Sequence, residues 1–154
     1  SYPYTVNDII NKLNIYVEEI FYFFPKNIKD INKKLDYLIT VLFIDFNIPP
    51  NLRGYDYLKM AAIECIDNYS KIDDNYLLEE LYPMIGLKYD CSGMSVEMSM
   101  NKAIRSAIDA NGDLRNLFKN TISNCKNSSI NRKFISLIVQ ILRLELYGTT
   151  FETM

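Results

Sequence analysis

The sequence predicts an all-α fold, a helical bundle of about six to seven helices containing a helix-turn-helix, from three observations. Apolar residues recur at offsets of three and four along most of the chain. Five glycines and five prolines in 154 residues leave few interruptions. No apolar/polar alternation persists long enough to suggest a half-buried strand. With 49% hydrophobic residues the chain can bury one ordinary core, so a single domain over residues 1–154 is expected.

The first helix is expected to start after Thr5, where Thr5-Val-Asn-Asp8 offers a capping-box-like start, and to run to Phe23 before Pro25 ends it. Its apolar face is Ile9, Ile10, Leu13, Tyr16, Val17, Ile20 and Phe24. With Phe21, Tyr22 and Phe23 alongside, that aromatic-rich helix is expected to pack on the bundle in preference to making a dimer contact. A second helix covers Ile28 to Asp45, and Asn47-Ile-Pro-Pro-Asn51 then breaks the chain in a short turn. The third runs from Tyr55 to Tyr69 through Leu58, Ala62, Ile63 and Ile66, with Gly54 before it as a flexible lead-in. Asp74 or Asn75 caps a fourth through Leu77, Leu78, Leu81 and Ile85 to Lys88, and Pro83 within it predicts a kink or a late restart. Tyr89-Asp-Cys-Ser-Gly93 is a tight turn leading to a fifth helix, Ser95 to Ala110, closed by Asn111-Gly112 as a left-handed cap. Short helical material at 114–122 and a long helix from Asn131 to Tyr147 complete the bundle.

Composition excludes several kinds of chemistry. Histidine is absent, which removes the commonest general base and metal ligand. Cys65, Cys91 and Cys125 are too far apart for a CxxC metal site or a paired disulfide framework, so reduced structural thiols are expected. Asp73-Asp74 and Glu79-Glu80 are adjacent pairs, and neighbours on a helix do not face each other, so they mark solvated helix starts. An enzyme is not expected, and no cofactor or metal is implied. Apolar stretches such as Ile20 to Phe24 are cut short by charges or by Pro25, and no secretory leader pattern opens the chain, so no membrane and a cytoplasmic location are expected. The start at Ser1 in place of a methionine suggests a processed or trimmed chain.

The fifth helix carries the functional signal. Val96, Met100, Ala103, Ile104, Ala107 and Ile108 share one side, leaving Glu97, Met98, Asn101, Lys102 and Arg105 on the other. A helix, a tight glycine-containing turn and a second helix with a polar stripe is the plan of a helix-turn-helix, whose second helix enters the DNA major groove. Residues 95–133 hold seven Lys/Arg against three Asp/Glu, a local +4 that leaves −6 for the remainder of a chain of net −2. A basic segment on an acidic chain suits a nucleic-acid face, although it is also compatible with an ordinary solvated surface. Lys102 and Arg105 can donate to guanine O6/N7, and Asn101 can make the two-point contact to adenine. Ser95, Arg115, Lys119, Lys126, Arg132 and Lys133 are the expected phosphate contacts.

Three blocks resemble the C-terminal effector domain of the stage-zero sporulation master regulator of spore-forming Firmicutes. Asn47-Ile-Pro-Pro-Asn-Leu-Arg-Gly-Tyr-Asp-Tyr-Leu-Lys59 is similar to the family's G-[VI]-P-A-H-[IL]-K-G-Y-x-Y-L-R. Leu81-Tyr-Pro-Met-Ile85 and Lys102-Ala-Ile-Arg-Ser-Ala-Ile108 resemble its L-Y-P-x-I and R-A-I-R-H-A-I. Phe134-Ile-Ser-Leu-Ile-Val-Gln-Ile-Leu-Arg-Leu-Glu145 resembles its F-I-A-x-x-A-D-x-L-R-L-E. The resemblance covers residues 35–146. It implies a bundle of six helices with a helix-turn-helix within about 75–110, binding a short promoter box in tandem copies to switch sporulation genes.

Carried over by position, the resemblance places base reading at Ser99, Asn101, Lys102 and Arg105. Departures concentrate there: the family's R-V-E-R is here Ser99-Met-Asn-Lys102, and its K-P-T-N loop is Ser128-Ser-Ile-Asn131. Each lost bidentate arginine removes ~1–3 kcal/mol of base discrimination, so the family's box is not expected to be read in the usual way. Full-length members carry a receiver domain phosphorylated on Asp, and residues 1–34 are too few for one, so phospho-activation is not expected of this chain. Two functions stay open. One is a DNA-binding regulator of altered specificity on double-stranded DNA, as a homodimer or in tandem. The other is a degenerate helix-turn-helix that binds a protein partner and modulates another regulator.

Overall fold

In the computed structural model of the chain, the described residues are 31–124 and 127–147. The expected first helix and its aromatic face lie outside them, as do Cys125 and Lys126. Every regular element among the described residues is helical, as the periodicity predicts. None of these helices is long and apolar enough to cross a membrane.

Helix α1, Ile31–Asp45, is followed by Asn47 at φ 61°. The Asn47 N–H donates to the Ile44 carbonyl at 3.1 Å and the Ile48 N–H to the Phe43 carbonyl at 3.0 Å. These paired bonds end α1 in a Schellman turn, with asparagine tolerating the left-handed backbone that the turn requires. Helix α2, Arg53–Cys65, begins earlier than expected and stops well short of Tyr69. Its end has a local cause: the Asn68 side chain donates to the Glu64 carbonyl at 3.0 Å, while the Asn68 N–H turns to Cys65. A 3-10 turn, Tyr69–Lys71, follows.

A helical turn Asp74–Tyr76, a π segment Leu77–Leu81 and an α-helix Tyr82–Tyr89 run on as one element, α3. Its cap is Asp73, not Asp74 or Asn75: the Asp73 carboxylate accepts from the Tyr76 N–H at 2.8 Å. The distortion expected at Pro83 is present as the π segment, closed by the Tyr82 N–H donating to the Leu77 carbonyl just before the residue that has no N–H. Helices α4, Gly93–Ala110, α5, Gly112–Asn124, and α6, Asn127–Tyr147, complete the fold.

Asn111 does not form the expected left-handed cap. It is extended, at φ −125° and ψ 115°. Its Oδ1 accepts from the N–H groups of Asp113 and Leu114, so it caps the start of α5. Its Nδ2 donates to the Asp45 carbonyl at 2.9 Å and to Asn47 Oδ1 at 3.0 Å, tying the α4–α5 junction to the end of α1.

Helix α4 is the centre of the bundle and touches α2, α3, α5 and α6. Val96, Met100, Ala103, Ile104, Ala107 and Ile108, the apolar side expected from spacing, are all buried. Gly54 is no flexible lead-in but the point where α2 crosses α4. A Cβ there would lie 2.1 Å from the Ser99 carbonyl oxygen and 2.8 Å from the Ala103 Cβ.

Candidate nucleic-acid interface

The end of α3, the turn through Asp90, Cys91 and Ser92, and α4 form the helix-turn-helix. Asp90 takes the left-handed conformation, φ 56° and ψ 50°, and the Cys91 N–H donates to the Gly86 carbonyl at 2.8 Å. The turn folds back so closely that a Cβ on Gly86 would lie 2.4 Å from the Cys91 carbonyl oxygen. Ser92 then caps α4, its Oγ accepting from the Ser95 N–H at 3.1 Å. The turn is also tied to α2. The Tyr57 hydroxyl lies 3.6 Å from Cys91 Sγ, and the Tyr57 ring meets the Tyr89 ring edge-on at 5.0 Å. That hydrogen bond and burial both raise the Tyr57 hydroxyl above the usual phenol range.

A buried polar chain fixes the other side of α4. Asn131 of α6 is fully buried and uses both amide hydrogens, donating to the Tyr82 hydroxyl at 3.1 Å and to the Glu97 carbonyl at 3.0 Å. Its Oδ1 accepts from Asn101 Nδ2 at 3.2 Å, and Asn101 Oδ1 accepts from Arg105 Nε at 2.7 Å. Three stretches set apart in sequence therefore meet in one network: Tyr82 from Leu81-Tyr-Pro, Asn131 from Ser-Ser-Ile-Asn, and Asn101 and Arg105 from α4. Burial pushes the Tyr82 hydroxyl far above its usual value, so it stays a neutral partner. Spacing alone could not find this chain. The sequence signals were the tyrosine retained in the family's L-Y-P and the asparagine retained at the last position of its K-P-T-N.

Of the expected base readers, Lys102 stands exposed on α4. Asn101 does not: at 5% exposure, with its amide committed to Asn131 and Arg105, it supports the helix from within. Ser99 is half-buried where α2 passes over its carbonyl, and Arg105 is half-buried, drawn along the helix toward Asn101. The side chains projecting furthest from the first turns of α4 are instead Met94 and Met98, 71% and 58% exposed, with Ser95 and Glu97 half-exposed beside them.

The expected phosphate contacts also divide. Arg115 and Lys119 are exposed on α5, where Arg115 Nη1 donates to the Asp109 carbonyl at 3.3 Å. Arg132 pairs with Asp74 at 2.9 Å beside the start of α3. Lys133 donates to the Leu117 carbonyl at 3.1 Å and lies over the Phe118 ring. Ser95 is half-buried in the first turn of α4, and Lys126 is outside the described residues.

The family model described as sporulation initiation factor Spo0A C terminal matches residues 39–142. That span runs from within α1 to within α6 and takes in the whole helix-turn-helix together with every member of the buried polar chain. The family is the DNA-binding domain of a sporulation regulator. A match over most of the chain shows that the chain belongs to the Spo0A C-terminal family.

Proposed function

We propose that the chain is a sequence-specific regulator that binds double-stranded DNA at sporulation or related stationary-phase and virulence genes, with a base-reading surface unlike its family's. The observation that carries this is α4 itself: an N-capped helix, clamped from beneath by Asn131, that exposes Met94, Met98 and Lys102 along its first three turns. The N-terminal residues of a recognition helix are those that meet base edges.

The reading set is accordingly Met94, Ser95, Glu97, Met98 and Lys102, with Arg105 at its edge. The family's string R-V-E-R-A-I-R-H-A-I fits α4 in two registers. From Ser99 it matches five of ten letters; from Ser95 it matches four, including Val96 and Glu97. The R-V-E-R block itself favours the earlier register, which keeps two of its four letters where the later keeps none. From Ser99 the reading positions are Ser99, buried Asn101, Lys102 and Arg105, and from Ser95 they are Ser95, Glu97, exposed Met98 and buried Asn101.

Arg115 and Lys119 are the phosphate contacts best supported by exposure. Binding as a homodimer or in tandem, and a cytoplasmic location, belong to the same proposal. The competing function, a helix-turn-helix converted to binding protein, is favoured by one observation: Leu87, Met94 and Met98 leave the motif's surface unusually apolar.

Fluorescence anisotropy against the family's operator box, a scrambled duplex and an AT-rich promoter fragment, each at low and high salt, separates the two. Regulator function requires a preference among duplexes that survives ~150 mM salt, with log affinity falling by ~0.9 per log salt for each phosphate neutralised. Flat titrations by the folded protein on all three transfer the function to a protein partner.

A further inference from the structure

We infer that Met94 and Met98 read DNA by packing on thymine C5-methyl groups, so that specificity rests on apolar contact where hydrogen-bonding arginines would ordinarily stand. The inference rests on the DNA-binding function proposed above and names the feature of the duplex that is read.

Three observations converge on it. Met94 and Met98 are the most exposed side chains in the first turns of α4, and neither is needed by the core. They lie four residues apart on one stripe that continues to Lys102, giving the order apolar, apolar, cationic. Two of the polar residues expected to read bases are taken up within the fold: Asn101 bonds Asn131 and Arg105, and Ser99 is half-buried where α2 passes over its carbonyl. The foremost part of this stripe offers a major groove two flexible, polarisable thioethers, with hydrogen-bonding groups beside and behind them.

The major groove has one prominent apolar feature, the methyl group of thymine. Four residues advance a helix by ~6 Å, close to two base-pair steps of ~3.4 Å, so the two side chains can address methyls about two steps apart. Lys102, four residues further on, then lies about two steps beyond Met98 as a donor to guanine or thymine acceptors or to the flanking phosphate. The apolar surface that would otherwise argue for a protein partner thus has an occupant within the DNA itself, and Glu97 beside it disfavours a neighbouring phosphate and centres the stripe on the bases.

The test replaces thymine with deoxyuridine, which removes the methyl and leaves every hydrogen-bonding group. The full chain is titrated against alternating d(A-T) and d(A-U) duplexes of equal length, and against the tightest duplex recovered from a randomised pool with uridine placed at each thymine in turn. Loss of about fourfold per contacted methyl, and up to about sixteenfold for two, is expected. In Met94→Ala and Met98→Ala, each exposed and each exchanged for a stronger helix former, the difference between thymine and uridine duplexes should shrink by the corresponding factor.

A uridine effect that persists undiminished in both variants is a property of duplex shape and overturns the inference. Equal binding of thymine and uridine duplexes by the unmodified chain overturns it as well, while its retained affinity for the selected duplex leaves the regulator function standing. Failure to recover or bind any duplex, with helicity intact by circular dichroism, overturns both together and assigns the methionines to a protein surface.

Discussion

Replacing Asn131 by Ala should destabilise the domain far more than the loss of one polar side chain ordinarily does. The residue is fully buried, and three hydrogen bonds converge on its amide, from or to Tyr82, Glu97 and Asn101. Its removal takes the amide donor from the Tyr82 hydroxyl and an acceptor from Asn101 Nδ2, on residues that are 1% and 5% exposed. A buried polar group that loses its partner costs ~1–3 kcal/mol, so the two together amount to ~2–6 kcal/mol. The Glu97 carbonyl is affected less, because it lies within a helix and keeps an intrahelical donor. Alanine's better helix propensity returns ~0.5 kcal/mol, and a water admitted to the site would return more. The net expectation is ~2–4 kcal/mol, a large share of the ~5–15 kcal/mol that holds an ordinary domain.

Urea denaturation followed by circular dichroism measures this directly. Tyr82→Phe takes the acceptor from one buried Asn131 N–H and should lose ~1–3 kcal/mol, less than Asn131→Ala because the bonds to Glu97 and Asn101 remain. The combination of Tyr82→Phe with Asn131→Ala should cost less than the sum of the two, with a coupling of ~0.5–3 kcal/mol. A shift below ~1 kcal/mol for Asn131→Ala, or strict additivity in the pair, would refute the idea that this network holds α4 from beneath.

Three further outcomes follow from named contacts. Gly54→Ala should destabilise by more than ~2 kcal/mol in the same denaturation assay, because the new Cβ meets the Ser99 carbonyl at 2.1 Å and backbone must move on both sides. Burial holds the Cys65 thiol at about 11 against a usual 9.0 and the Tyr76 hydroxyl at about 12 against 10.0. The folded chain therefore keeps protons that the unfolded chain sheds: this stabilisation is complete below pH 9 and is lost as pH rises to about 11 and 12. Urea midpoints should fall above pH 9, and Cys65→Ala should flatten the first part of that fall. Arg132→Ala breaks a half-exposed pair with Asp74 and should cost only ~0.2–1 kcal/mol in stability. If Arg132 nevertheless contacts a phosphate, the same variant lowers the salt slope of DNA binding by ~0.9, so the two assays separate its roles.

The helices were legible because burial imposes the 3.6-residue period, and α4's core side was readable residue by residue. Their ends were less so. The junction at Asn111 has the letters of a left-handed cap, Asn-Gly, yet its amide reaches Asp45 and Asn47 across the bundle, and those partners are invisible to a local motif. Asn101 failed for a related reason. An asparagine on the polar edge of an amphipathic helix looks exposed until Asn131, thirty residues away, supplies a buried partner.

The register of the reading surface is the subtlest case, and helical geometry explains it. Sliding a motif by four residues turns it only about 40° around an α-helix, so every apolar position still falls on the core side. Ala103-Ile104 and Ala107-Ile108 repeat the same pair one turn apart, and each satisfies the family's closing A-I equally well. The same slide moves the reading set ~6 Å along the axis, nearly two base-pair steps, which exchanges Ser99, Asn101, Lys102 and Arg105 for Ser95, Glu97, Met98 and Asn101. Core spacing is thus nearly blind to a displacement that groove recognition would feel at full strength. What distinguishes the two registers is the reading block: Val96 and Glu97 keep two letters of R-V-E-R from Ser95, and Ser99-Met-Asn-Lys102 keeps none.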